Sequence, residues 1–144
     1  MIYTIVLEMD EQDTDISAWC EVDSALATTV GESVEEVVAN IRMLIEDFKE
    51  NTFKDDSKWQ SIDVSAIEFD FQYSMYGFFE THKAIKIGEI AKLAGLNPAL
   101  VRSYACGDKN PSLEQAQKIE RAVHLLAQSL LLVKVVPKTV RPAA

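Results

Sequence analysis

Three carboxylates, Glu8, Glu46 and Asp70, stand where a metal-dependent nuclease gathers its acids: near the end of a first strand, on a helix, and on a later strand. Acids gathered in that way hold two divalent ions, which activate water and steady the leaving oxygen. A plainer reading is stronger. Residues 1–76 hold 18 Asp and Glu, so some fall at such positions by chance, and the solvated faces of an acidic module account for them. No catalytic residue and no metal site is therefore expected. His82 and His124 have no partner at the spacing of a metal site or an activated nucleophile, and read as surface or packing residues. Cys20 and Cys106 lack both metal spacing and the density of a disulfide scaffold, so both are expected to be free thiols. No cofactor is implied.

Cations concentrate elsewhere. Residues 1–76 carry 18 acidic against 4 basic side chains, a formal −14, whereas residues 77–144 carry 5 against 10, a formal +5. The net charge of −9 over 144 residues hides this reversal. An asymmetry of that size points to two modules with different partners, and only the second is suited to nucleic acid. No apolar run reaches the roughly 20 residues of a membrane span, and Ile2 to Leu7 is too short for a signal peptide and lacks its basic flank. A cytoplasmic protein without membrane partners is expected.

The acidic module reads as strands around one helix. Ile2 to Met9 is aliphatic and β-branched, and Asp10 to Asp15 is a polar turn, so a hairpin is the economical reading. Ile16, Ala18, Cys20 and Val22 alternate with polar or exposed positions, as in a sheet with one buried face. Ala25 to Val30 supplies a third strand, ended by Gly31. Ser33 and Glu36 form a capping box, and Val34, Val37, Val38, Ile41, Ile45 and Phe48 follow at helical spacing. The helix is expected to stop near Asn51. Residues 51–61 read as an exposed connection with Trp59 as a possible anchor. Ile67, Phe69, Phe71 and Tyr73 then alternate strictly with Glu68, Asp70, Gln72 and Ser74, the clearest strand pattern in the chain. The order is β-β-β-α-β, an α+β layer of one helix on a mostly antiparallel sheet.

These residues resemble the HicB family of antitoxins. The match covers strands at Tyr3 to Glu8 and Ile16 to Val22, then the run Ala27-Thr28-Thr29-Val30-Gly31-Glu32-Ser33-Val34-Glu35-Glu36-Val37-Val38-Ala39-Asn40. The resemblance implies a partial ribonuclease-H-like N-terminal domain over residues 1–76 that serves toxin binding or dimerisation. Where the family usually has an Asp-Leu-Pro-Gly-like turn, this chain has Asp23-Ser24-Ala25-Leu26.

After Gly77 the period changes to about 3.6, which sets the expected boundary between 76 and 77. Met75 to Ile85 reads as a helix or helical lead-in. Ile87, Ile90, Ala91 and Ala94 mark a second helix ending at Gly95, Asn97 caps a third, and Pro98 fits its first turn. Ala91 must be small where the two helices touch, while Ile90, Leu96 and Val101 lock their angle, so the pattern is helix-turn-helix. Ser112 and Gln115 form another possible capping box. Leu113, Ala116, Ile119, Val123, Leu126 and Leu130 run down one face of the closing helix. Leu130 to Val136 is too apolar to stay exposed, and is expected to continue the helix briefly, to form a strand, or to make a dimer contact. Residues 137–144 read as a loose tail.

Ile87 to Tyr104 resembles the helix-turn-helix domains of the phage-repressor and Cro type. The likeness continues through Gly107-Asp108-Lys109-Asn110-Pro111-Ser112-Leu113-Glu114, similar to that family's link to its fourth helix. It implies an all-α DNA-binding domain over residues 77–136 whose third helix enters the major groove. By position, Asn97, Pro98, Ala99, Arg102, Ser103 and Cys106 then face the bases. Arg102 suits guanine, and Asn97 either reads adenine or caps its helix. Lys109, Asn110, Lys86 and Lys92 are candidate phosphate contacts. That family often has Gln at the start of the second helix, where this chain has Ile87-Gly88.

The two likenesses together imply a non-enzymatic antitoxin. It would mask a small basic HicA-like ribonuclease toxin and, as a homodimer or higher even oligomer, repress its operon on operator DNA. The alternative is a stand-alone helix-turn-helix transcriptional regulator whose first domain dimerises or senses a ligand.

Overall fold

Alternation in the first half does build a sheet. In this computed structural model, which describes residues 1–142, strands β1 (Ile2–Glu8), β2 (Ile16–Val22) and β3 (Ala25–Gly31) pair antiparallel in sequence order. The chain then crosses through helix α1 (Val34–Asp47) to β4 (Glu68–Tyr73), which pairs parallel with β1, so the order is β3-β2-β1-β4. Cross-strand partners Ile5, Cys20 and Ala27 put one face of the sheet in the core. Val37, Ile41 and Ile45 of α1 are buried against that face. The opposite face has Trp19, Leu26 and Val30 exposed among acidic and hydroxyl side chains. Asp23, at φ 52°, turns β2 into β3, a left-handed conformation that Asp tolerates better than most residues.

Several local expectations are corrected. Ser33 Oγ accepts from Glu36 N–H at 3.1 Å, but the Glu36 carboxylate returns to Glu32 N–H at 3.0 Å rather than to that of Ser33. The long helix ends in a π-helical turn, Phe48–Thr52. Residues 51–61 are no bare connection: α2 (Ser57–Gln60), capped by Asp56, buries Trp59 against Phe53, with parallel rings 4.5 Å apart. The strand with the clearest alternation proves to be an edge. Phe71 stays exposed there because α1 packs over β3 and β2, at the other side of the sheet, and leaves β4 partly uncovered.

Helix α3 (Met75–Thr81) is capped by Ser74 and already contains Gly77. With α4 (Ile87–Ala94), α5 (Pro98–Ala105) and α6 (Leu113–Leu130), it encloses a second hydrophobic cluster that includes Phe79, Ile90, Ala91, Val101, Tyr104 and Ile119. The two clusters meet through aromatic packing of Tyr73 on Phe78 and His82. The described residues are thus a mixed α+β structure of one four-stranded sheet and six α-helices. No helix among them is long and apolar enough to cross a membrane.

The closing helix departs from its expected stripe at both ends. Ile119 and Ala122 are buried, but Leu113 and Leu130 are exposed. Ser112 Oγ accepts from Gln115 N–H at 3.3 Å, while the Gln115 side chain accepts the Tyr104 hydroxyl and ties α6 to α5 in place of closing a capping box. Beyond Leu130 the chain makes one further turn, and 133–136 is neither helix nor strand. Of the expected tail, 143 and 144 lie outside the described residues.

Candidate nucleic-acid interface

The pair α4 and α5 is fixed by a short list of contacts. Ala91 is fully buried where the helices meet, and Ile90, Val101 and Tyr104 pack beside it. Gly95 takes φ 73°, the left-handed conformation that lets α4 stop within one residue. Leu96 N–H then bonds to Ala91 O at 2.9 Å and folds the chain back towards α5. Asn97 Oδ1 accepts from Ala99 N–H at 2.8 Å, and Pro98 fills the first turn, where its missing N–H is no loss. Asn97 therefore caps its helix, which decides one of the two roles left open for it.

On the outside of this pair, Lys86, Lys92, Pro98 and Arg102 line one shallow recess of about 340 Å³, together with Ile85, Ile87, Gly88 and Glu89. The Arg102 guanidinium reaches over to the start of α4: a Cβ at Gly88 would lie 3.2 Å from Nη2. Gly88 thus leaves room for this guanidinium, and the sequence marks the position only by the absence of the Gln that the resemblance leads one to expect. The start of α4 has no side-chain cap, and its backbone N–H groups carry partial positive charge towards the same recess. Glu89 is the opposing charge, 3.4 Å from Lys92 in an exposed pair that holds neither side chain firmly. Two lysines, an arginine and a helix start line one small volume against a single carboxylate, Glu89, a balance that suits an anion such as a phosphate oxygen.

The other expected contacts lie further along. Asn97 and Ala99 are exposed at the start of α5, and Ser103, half-buried, donates its hydroxyl to Ala99 O at 3.3 Å. Cys106, Lys109 and Asn110 are exposed beyond the end of α5, about 12 Å of helix away from Pro98. Of the ten residues, Lys86, Lys92, Pro98 and Arg102 stand together, Asn97, Ala99, Ser103 and Cys106 lie along α5 and at its two caps, and Lys109 and Asn110 stand apart beyond it. Gly107, at φ 83°, sits between α5 and that last pair, and the Glu11 carboxylate of the β1–β2 turn lies against it.

The three acids considered for metal chemistry do not converge. Glu8 and Asp70 are on strands of the open sheet face, where Asp70 accepts the Thr4 hydroxyl. Glu46 is on α1 across the sheet, lining a groove with Arg42, Met43 and Val64. Among the described residues, no group of three His, Cys, Asp or Glu side chains is arranged to hold a metal ion. Cys20 is buried and Cys106 exposed, and both are free thiols. Burial pushes the Cys20 thiol up to about 11, with a smaller push from Asp70.

No family model, curated protein or solved structure matches the chain.

Proposed function

We propose that the chain is a two-module DNA-binding regulator of the HicB antitoxin kind. In this reading α4 and α5 are the two helices of a helix-turn-helix in an all-α domain, and operator DNA is their ligand. The observation that carries the reading is the recess lined by Lys86, Lys92 and Arg102 at the start of α4, on a pair whose angle is fixed by Ala91 and Gly95. Phosphate contacts there set the register of α5 on the duplex, and exposed α5 side chains meet the bases. The first module is a partial ribonuclease-H-like domain that masks a small basic ribonuclease toxin. Its open sheet face supports this role, with Trp19 and Leu26 exposed on a module of formal charge −14, which repels DNA and attracts a basic protein. The mechanism is steric masking and repression in the cytoplasm, without catalysis.

The test is binding of the full chain to the DNA upstream of its own gene, measured by fluorescence anisotropy across salt. A specific complex is expected, weakened about 5- to 150-fold by Arg102→Ala, while Lys86→Ala lowers the salt slope by about one unit. No specific complex, or an unchanged affinity for Arg102→Ala, overturns the assignment. For the first module, a small basic protein encoded beside this gene should co-purify with the parent and fail to do so with Trp19→Asp. The absence of such a complex removes the toxin from the reading and leaves the DNA test untouched.

A further inference from the structure

The turn between β1 and β2 carries four acids within residues 10–15: Asp10, Glu11, Asp13 and Asp15. It does not stand free of the helical module. Asp13 N–H bonds to Asp10 O at 3.0 Å and closes the turn. At its base, Met9 Cβ would lie 3.6 Å from a Cβ at Gly77 of α3. Desolvation by burial first, and then the carboxylates of Glu80, Glu11 and Asp10, push the hydroxyl of Tyr76 on α3 above its ordinary range. The turn therefore leans on α3, and the Glu11 carboxylate ends against Gly107 in the link between α5 and α6.

That link carries the outer candidate contacts, Lys109 and Asn110, directly after Cys106, Gly107 and Asp108. Its own charges cancel, because Asp108 stands next to Lys109. Among the described residues, none of the four turn acids forms an ion pair, and neither does Lys109. The N–H groups of Gly107, Asp108 and Lys109 are directed inward, to Tyr104 O at 3.2 Å and to Ser103 O at 3.0 and 3.4 Å. An anion that approaches this link thus meets three engaged donors and a negative local balance. The start of α5 is the reverse, with Lys86, Lys92 and Arg102 set against Glu89 alone. The two ends are about 12 Å apart, roughly one Debye length at 0.1 M salt, so each acts mainly on the phosphates nearest to it.

We infer that the acidic β1–β2 turn is an autoinhibitory contact, which lies against the α5–α6 link and opposes DNA phosphates at the far end of α5. The inference rests on the DNA-binding reading of α5 and adds a brake to it. A like charge about 4–8 Å away in bulk water weakens binding about 2- to 5-fold, and more where protein displaces water. Glu11 is exposed, so its carboxylate can leave the link without either module unfolding. Because the turn belongs to the first module, the contact couples the two. Whatever holds the turn off the link tightens DNA binding, and bound DNA favours the displaced turn by the same factor.

Two measurements on the full chain compare Glu11→Gln with Glu50→Gln, each of which removes one negative charge. Glu50 lies beside Val64 and Ser65, near the end of β1 where Ile2 pairs with Glu68, whereas the turn follows the other end of β1, about 20 Å along the strand. The first measurement contains no DNA. Cys106 is exposed next to Gly107, so its rate with a dianionic aromatic disulfide, divided by its rate with a neutral one, reads the field at the link. Glu11→Gln should raise that ratio about 2- to 5-fold at low salt and far less at about 1 M, where the Debye length is about 3 Å. Glu50→Gln should leave it unchanged. The second is fluorescence anisotropy with two duplexes, the upstream sequence and a shuffled one. At about 50 mM salt, Glu11→Gln should bind both about 2- to 5-fold more tightly than Glu50→Gln does, because phosphates carry no sequence information. An unmoved thiol ratio removes the turn from the link and overturns the inference whatever happens on DNA. A raised ratio with no gain on DNA over Glu50→Gln also overturns it, and leaves the proposed function standing. A parent and a Glu11→Gln variant that bind neither duplex overturn the proposed function, and the brake with it.

Discussion

Arg42 is the side chain on which the acidic half is most sharply testable. It stands outside the apolar stripe of α1, and its guanidinium reaches two backbone carbonyls beyond the helix. Nη1 donates to Val64 O at 2.9 Å and Nη2 to Ile67 O at 2.8 Å, and the group lies 4.8 Å from the centre of the Phe69 ring. One residue thereby joins α1 to the turn before β4 and to β4 itself. A hydrogen bond from a charged donor contributes about 1.5–3 kcal/mol, and the lower value applies here because the site is half-buried and water partly replaces a lost donor. Two such bonds with a cation–π contact of about 0.5–1 kcal/mol give roughly 3–4 kcal/mol. Arg42→Ala is expected to lose about 3 kcal/mol, which moves a urea midpoint down by roughly 1–2 M at an unchanged slope. Arg42→Lys should lose about half as much, because one ammonium cannot hold two carbonyls in the fork geometry. Trp19 and Trp59 are the only tryptophans and both lie in this half, so their fluorescence follows its unfolding. A loss below about 1 kcal/mol for Arg42→Ala, or a lysine variant as stable as the parent, refutes the reasoning.

Two further outcomes follow from single groups. Gly107→Ala and Gly95→Ala should each lower stability by about 1–2 kcal/mol, the strain of alanine at positive φ, because the Glu11 carboxylate that a Cβ at Gly107 would meet is the free end of an exposed side chain and swings aside. Thermal melts of the two variants, with Glu11→Ala added to Gly107→Ala, check this, and a clearly larger loss at Gly107 that Glu11→Ala relieves would refute it. For Cys20, the folded thiol lies near 11 while the unfolded thiol stays near 9. The folded state then keeps a proton that the unfolded state gives up, so stability is unaffected below about pH 8 and falls as pH rises towards 11. A thiol reagent at pH 8 should label Cys106 in the native protein and Cys20 only on unfolding. Native labelling of both would contradict the burial of Cys20.

Sequence periodicity revealed what local chemistry decides. Ile16, Ala18, Cys20 and Val22 point inward as alternation demands, Ser33 starts α1, and Gly95 ends α4. What escaped it depends on partners distant in the chain. The pattern of β4 is the cleanest alternation present, but alternation states only that one face is apolar, not whether a helix reaches it, and Phe71 lies at an edge beyond α1. The tie made by Arg42 could not be read because its acceptors lie 22 and 25 residues away, on carbonyls that carry no sequence signal. Gln115 fits a capping box by spacing, yet the buried Tyr104 hydroxyl claims its side chain. In the candidate interface, the helices and the cap at Asn97 were legible. The recess shared by Lys86, Lys92 and Arg102 was not, because the place of Arg102 in it depends on Gly88 leaving space for a guanidinium from the next helix.

Under the proposed function, the same geometry narrows which side chains can read a base. An asparagine that reads adenine offers one donor and one acceptor together. The acceptor of Asn97 is already engaged by Ala99 N–H, so bidentate reading there would require uncapping α5, a loss of about 1 kcal/mol. The Ser103 hydroxyl is turned back on its own helix. Ala99 presents a methyl group and Cys106 a thiol, which can contact a thymine methyl but make no strong hydrogen bond. Arg102 remains the strongest donor on α5, and it stands between two tasks, since at the start of α4 beside Lys86 and Lys92 it meets a phosphate and swung outward it meets guanine. These tasks leave different traces in Arg102→Ala. Loss of a phosphate contact weakens all sequences alike and lowers the salt slope, whereas loss of a guanine contact relaxes preference at one base pair and spares the slope. The observed position, with Nη2 over Gly88, favours the first trace.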